Sequence, residues 1–189
     1  SIGGYLDKDD MDGLRKYYSG LLADCKITVN LAALDPNVIN SPAIYNILSS
    51  KYYKANENNI VMNIESFLNL KEIEDNMKIY EFVRMFGILL DNAIEAVQDY
   101  DLKNIWVEMR EMTDIIHVAV KNNSRYYKQE ELIQLMGMGY STKAQNRGIG
   151  LSKAKDILME YECDLRIYCE ENENTRIVFD FTIEKSQRT

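Results

Sequence analysis

The sequence predicts an α+β fold: a two-layer α/β sandwich with helices on a mixed, mainly antiparallel sheet, preceded by a segment that is helical only. Three observations carry this. After residue 59, apolar and polar residues alternate in several short stretches, the period of half-buried strands. One long stretch, 78–99, repeats at 3.6 residues instead. The residues before 59 show helical spacing and no strand pattern. Strands joined by short turns and interleaved with amphipathic helices imply a helix layer on a largely antiparallel sheet.

Taken in order, Asp9 and Asp10 can cap a first helix carrying Met11, Leu14, Tyr17, Tyr18, Leu21 and Leu22. Asp35-Pro36 and Ser41-Pro42 break the chain with its only two prolines. A second helix follows with Ile44, Ile47, Leu48, Tyr52 and Ala55 on one stripe, ending at Asn56-Glu57-Asn58-Asn59. Two such helices without a sheet of their own are either half of a helical bundle or a cover for the following domain. The expected divisions are 1–58 for this helical part, 59–185 for the sandwich and 186–189 for a tail. Ile60, Met62 and Ile64 read as a strand, and the long helix follows. Strands around Ile105-Val107-Met109 and Ile116-Val118-Val120 come next, joined near Thr113-Asp114. Residues 122–147 lack a steady period apart from a helical patch at Glu130 to Met136; so long an irregular stretch in a compact domain is characteristically functional. A helix from Gly148 to Tyr161 precedes two last strands, near Leu165-Ile167-Cys169 and Ile177-Phe179-Phe181-Ile183.

Composition narrows the function. The 189 residues hold 22 Lys and Arg against 30 Asp and Glu, a net charge of −8. Such a surface repels phosphate backbones and anionic lipid, which argues against nucleic acid as a partner. Cys25, Cys163 and Cys169 form no CxxC pair and read as reduced thiols. No apolar run approaches the roughly 20 residues that span a bilayer. The chain begins at Ser1 inside a helix-like pattern and is read as part of something longer, the piece itself being soluble.

Three places carry chemistry. On the long helix, Ile79, Phe82, Val83, Phe86, Leu89, Leu90, Ala93, Ile94 and Val97 fall in one arc of about 120°. Ile88, Asn92, Glu95 and Ala96 form a second strip, which suits either a pocket wall or an imperfect solvent face. Next, Ser141, Thr142, Lys143 and Arg147 precede Gly148-Ile149-Gly150-Leu151. Hydroxyls, two cations and glycines at a helix start make an anion cradle. It is not a Walker A loop, because the glycines follow the lysine. Third, the strand Ile115 to Lys121 runs into Asn122-Asn123-Ser124, either a plain turn or a set of side chains able to read a planar base.

In this order and spacing, the three features resemble the Bergerat-fold ATP-binding domain of the GHKL superfamily, which includes gyrase, Hsp90, MutL and sensor histidine kinases. Residues 86–96, Phe-Gly-Ile-Leu-Leu-Asp-Asn-Ala-Ile-Glu-Ala, look like the N box, with Asn92 at the Mg²⁺-binding position. Asn122 takes the place of the adenine-reading aspartate of the G1 box. Residues 141–143 and 148–151 look like the G2 box, with an ATP lid over about 125–147. Asn174-Thr175 is similar to the Gly-Thr whose threonine helps bind adenine. The closest resemblance is to quorum-sensing peptide-receptor kinases of the accessory-gene-regulator type. It is carried by Gly87-Ile88-Leu89-Leu90-Asp91-Asn92-Ala93-Ile94-Glu95-Ala96 and upstream by Gly4-Tyr5-Leu6, Asp10-Met11, Gly13-Leu14 and Tyr17-Tyr18.

The resemblance implies a domain that binds Mg²⁺ and ATP and passes the γ-phosphoryl group to a histidine outside this chain. Asn92 would hold the metal and, with Lys143, act in catalysis. Asn122 and Thr175 would contact adenine, and Ser141, Thr142, Lys143, Arg147, Gly148, Gly150 and Leu151 would hold the phosphates. Residues 1–58 would then be the remnant of a dimerisation and phosphoacceptor region. The implied partners are that acceptor helix, from the same or a sister subunit, a response regulator, and a second copy of the parent. The implied setting is the cytoplasmic side of a membrane-bound sensor. Two other functions stay open: an ATP-binding interaction module with little catalysis, and an ATP-hydrolysing member. Ile88 stands where hydrolytic relatives carry a water-activating glutamate and so argues against the last. Asn122 and Ser124 replace the aspartate and first glycine of the G1 box, which implies modest ATP affinity. The one histidine, His117, lies mid-strand before Val118 and reads as a structural residue, not a phosphoacceptor.

Overall fold

Pro42 sits in the first turn of helix α1, Pro42–Glu57, where its missing N–H costs nothing and its fixed φ suits the helix. The computed structural model describes residues 40–67, 71–136, 149–163, 165–171 and 174–185, all within the unit Ala32–Thr189. The helix expected around Met11 to Leu22, Cys25 and the tail 186–189 lie outside the described residues. Helix α1 closes on Asn59, whose positive φ of 56° lets Ile60 N–H reach back to Ala55 O at 2.9 Å.

Strand β1, Val61–Phe67, leads through a short helix α2, Lys71–Asn76, into α3, Ile79–Ala96, which ends in a 3₁₀ turn at Val97–Asp99. Then follow β2, Asn104–Glu111, β3, Ile115–Asn123, helices α4, Gln129–Met136, and α5, Ile149–Glu160, and strands β4, Arg166–Glu171, and β5, Thr175–Glu184. The sheet order is β1-β2-β3-β5-β4. β1 and β2 are parallel because the α2–α3 crossover returns the chain to the same end; the other pairs are antiparallel. The α+β sandwich read from the sequence is thus the fold observed. Helix α2 was not foreseen, since its one buried apolar residue, Ile73, gives no period to read.

Register lines the helix-facing side of the sheet with cross-strand rows. Ile64, Val107, Val120, Phe179 and Ile167 make one, and Met109, Val118 and Phe181 make the next. Helix α3 lies over these rows, with Phe82 tilted against Phe181 at 6.4 Å between ring centroids and Phe86 behind it at 5.2 Å. Its buried residues correct the expected arc in detail. Phe82, Phe86, Leu89, Leu90, Ala93 and Ile94 are buried, but Ile79 and Val83 are only half-buried, and Met85 is buried beyond the arc. The reason is that α3 is covered on more than its sheet face. Helix α1 packs along one flank and α5 along the other. Met85 lies on the α5 flank, which an amphipathic pattern drawn for one partner surface does not mark.

The α1 flank carries Gly87 and Asp91, one turn apart. Ile47 of α1 stands so close to Gly87 that an added Cβ would lie 3.4 Å from its Cδ1. Helix α1 buries Ile44, Tyr45 and Leu48 against α3 and β1, so this helix covers the sandwich. The opposite side of the sheet carries charge. Lys121 lies between Glu108 at 2.9 Å and Glu170 at 3.2 Å, and Arg176 stacks on Trp106 at 3.9 Å.

Candidate functional site

Asn122 interrupts an otherwise apolar cross-strand row formed by Met62, Ile105, Ile177 and Cys169. Its side chain is fully buried on the helix-facing side, at the end where Val118 and Val120 give way to polar residues. Nδ2 donates to the Asn123 carbonyl at 2.8 Å, while Oδ1 has no hydrogen-bond partner. The reverse amide orientation would set two acceptors face to face, so the free atom is the acceptor. A buried orphan acceptor costs about 1–3 kcal/mol, which a ligand donor would recover. Ser124, just beyond, also has a buried Oγ with no partner, and its N–H donates to Thr175 O at 3.1 Å. Antiparallel register therefore brings Thr175, far along the chain, to the same corner of the sheet face as Asn122 and Ser124.

The second part of the site lies between α3 and α5. These helices run antiparallel: Tyr161, just past α5, donates through its hydroxyl to Glu81 near the start of α3. At the other end, Gly150 in the first turn of α5 rests on Ile88, whose Cγ2 would lie 3.4 Å from an added Cβ. Asn92 is one further turn along α3 on the same flank, half-buried, toward the N-terminal end of α5. That end carries the positive pole of the helix dipole and its unpaired N–H groups. Leu151 is half-buried in the same turn. Of the expected strip, Ile88 and Asn92 form a wall, whereas Glu95 and Ala96 are exposed.

Thus Asn122 and Thr175 share a corner of the sheet, while Gly150 and Leu151 lie at the start of α5, where Gly150 meets the α3 flank that carries Asn92. Ser141, Thr142, Lys143, Arg147 and Gly148 lie outside the described residues. An amide oxygen such as that of Asn92 is a hard ligand suited to Mg²⁺, a cation that commonly keeps waters and phosphate oxygens around a few protein ligands. Among the described residues, no cluster of three His, Cys, Asp or Glu offers an all-protein metal cage. His117 is on the other side of the sheet, with Nε2 3.5 Å from the buried carboxylate of Asp180, which Arg166 also holds at 2.7 Å.

Two charged arrangements at the borders of the site were not read from the sequence. Asp91, beside Asn92, accepts from Lys51 at 2.7 Å and Lys54 at 2.6 Å. Partial burial pushes its carboxyl up, but the lysine hydrogen bonds outweigh this and hold it below the ordinary value. Beyond Asn122, the Arg125 guanidinium pairs with Glu131 at 2.6 Å and stacks on Tyr127 at 4.0 Å, while the Arg125 backbone N–H donates to the Tyr100 hydroxyl. The Arg125 guanidinium, followed by the Lys128 N–H, holds the Glu131 carboxyl down to about 2. Glu131 is the third residue of α4 reaching back to the residue before it, one half of a capping box. The Lys-Gln-Glu-Glu run at 128–131 was the available signal.

A family model described as the GHKL domain matches residues 77–183. The chain is 28% identical over 122 residues to the sensor protein CitS of Bacillus subtilis, covering 65% of this chain and 22% of that protein. It is 25% identical over 141 residues to a probable C4-dicarboxylate sensor kinase of Halalkalibacterium halodurans, covering 72% and 26%. The chain therefore spans about a quarter or less of these relatives. Among solved structures, the nucleotide-free catalytic domain of the histidine kinase ThkA superposes with a TM-score of 0.60 at 25% identity, covering 76% of this chain and 90% of that one.

Proposed function

The chain belongs to the GHKL domain family, as the catalytic domain of a sensor histidine kinase, and we propose that it binds Mg²⁺ and ATP and transfers the γ-phosphoryl group to a histidine outside this chain. The observation that carries the reading is Asn122, a fully buried amide whose only unpaired atom is an acceptor. That atom suits a base bearing an exocyclic amino group, as adenine does, and not one bearing a carbonyl there. Thr175 and Ser124 supply hydroxyls beside it. Asn92 offers its amide oxygen to the cation, and the first turn of α5, at Gly150 and Leu151, offers N–H groups and a helix pole to the phosphates. When bound, Mg²⁺ neutralises charge on the phosphate oxygens. Ser141, Thr142, Lys143, Arg147 and Gly148 are proposed as the remaining phosphate contacts, Lys143 adding a charge to offset that developing in transfer.

Transfer to an imidazole needs positioning and charge neutralisation more than a base in this domain. Ile88 supports that division: an apolar group in contact with α5 occupies the flank where a water-activating carboxylate would have to stand. Slow phosphate release in the absence of an acceptor is the expected companion result. The proposed partners are an acceptor helix from the same or a sister subunit of a dimeric parent and a response regulator. We place the domain on the cytoplasmic side of a membrane sensor; no described helix is long and apolar enough to cross a membrane.

The test supplies the parent's acceptor region in trans with γ-labelled ATP. Labelled acceptor histidine supports the kinase reading, and ATP binding without transfer would favour the interaction-module alternative. A narrower proposal is that the parent answers a quorum-sensing peptide, on the strength of the 87–96 phrase and the upstream Gly4 to Tyr18 residues. Autophosphorylation of the intact parent with a secreted peptide, set against a C4-dicarboxylate, separates the two kinds of signal.

A further inference from the structure

Helix α3 carries different partners on its two flanks. Ile88 and Asn92, one turn apart, face α5 and the proposed nucleotide site, while Gly87 and Asp91, also one turn apart, face α1. The α1 stripe that meets them has the same spacing: Ile47 stands against Gly87, and Lys51, four residues on, pairs with Asp91. The two helices therefore run in the same direction, matched turn for turn. Lys51 donates to Oδ2 of Asp91 and Lys54 donates to Oδ1, so both carboxylate oxygens are engaged. The Lys51 side chain is 15% exposed, which makes its half of the clamp less screened than an ordinary surface pair. Lys51 and Lys54 are like charges three residues apart and repel one another on an isolated helix; the shared carboxylate is what makes their proximity favourable.

We propose that Lys51 and Lys54 are positioning residues for the Mg²⁺-ATP site, acting through Asp91 to fix the α3 turn that carries Asn92. A shift of α1 along or around its axis is then transmitted to the neighbouring residue. Ligand geometry is sensitive to displacements of about 0.5 Å, so a small shift suffices. Helix α1 is well placed for this because it leads directly through Asn58-Asn59 into β1 and buries Ile44 and Leu48 in the same unit. The inference deepens the reading of Asn92 given above and rests on it.

The test measures Mg²⁺-ATP affinity and nucleotide-free melting for the whole 189-residue chain and for four variants. These are Lys51→Gln with Lys54→Gln, Lys51→Arg with Lys54→Arg, and Asp91→Asn, the last also combined with the glutamine pair. The glutamine pair is expected to weaken Mg²⁺-ATP binding about fivefold or more while binding of ATP in chelator changes much less. The arginine pair should restore it. In Asp91→Asn, adding the glutamine pair should cost almost nothing further. Wild-type binding with an unaffected glutamine pair overturns the proposal alone. So does an equal loss with and without Mg²⁺, or a loss that arginine does not rescue, since either marks general destabilisation. If the wild-type chain does not bind ATP at all, the functional reading falls and takes the proposal with it.

Discussion

Asn122 is a poor choice for stability and a good one for a ligand. A leucine there would remove a buried orphan acceptor from an apolar row but also the donor to the Asn123 carbonyl, so the two effects offset and Asn122→Leu should leave the melting temperature of the nucleotide-free protein little changed. The same change should weaken ATP binding by about tenfold or more, the worth of a buried hydrogen bond plus the lost selection for an amino group. Calorimetry on both proteins checks the pair of effects; a destabilised variant with intact ATP affinity would assign Asn122 to the fold. As a neutral acceptor it also implies modest affinity, which a tight dissociation constant would contradict. Glu131 gives a second residue-scale expectation. Its carboxyl is held near 2 by Arg125, so its stabilising contribution is complete above the ordinary value near 4.5 and is lost as pH falls through 2. In Arg125→Gln the Glu131 titration followed by NMR should move back up toward that ordinary value. The amide at 122 was legible as a polar stop after a strand; that its oxygen would be buried and unpaired was not, because that depends on which neighbours register brings beside it.

The helices show what periodicity reveals and what it hides. The core face of α3 was readable because its apolar residues return every 3.6 positions. Its flanks were readable only in part: the Ile88–Asn92 strip was legible as a possible pocket wall, but Gly87 and Met85 acquire meaning only once α1 and α5 are in place. Helix α5 closes with Glu162 in the left-handed region, φ 57°, where Cys163 N–H returns to Leu158 O. Glycine carries no Cβ penalty there, so Glu162→Gly should stabilise the protein by about 1 kcal/mol in thermal or urea unfolding. A drop in stability would mean that the glutamate side chain has a packing role. The clamp on Asp91 has a pH signature of its own. Asp91's carboxyl is held below its ordinary value of 3.8, so the clamp contributes fully above that pH and fades as pH falls through the lower folded value. Amide exchange along α1 should accelerate there before the sheet opens.

For the molecule as a whole, the sandwich was legible because the strands after residue 59 show alternation and short turns join β2 to β3 and β4 to β5, while helical patterns fill the longer connections. The parallel β1–β2 pair and the role of α1 were not, since both are long-range packing outcomes. A chain beginning at residue 59, where the proposed boundary falls, would uncover the surfaces that Ile44, Tyr45 and Leu48 now bury. Its unfolding free energy should drop by on the order of 4 kcal/mol; an unchanged value would show that α1 contributes nothing to the stability of the sandwich. The central proposal is that Asn92 on α3 and Asn122 at the end of β3 belong to one Mg²⁺-ATP site. The most direct measurement is calorimetric titration of ATP into the wild-type chain and Asn92→Ala, each with Mg²⁺ and with chelator. Mg²⁺ should strengthen ATP binding in the wild type and do little in Asn92→Ala, whereas equal Mg²⁺-dependence in both would remove Asn92 from the site.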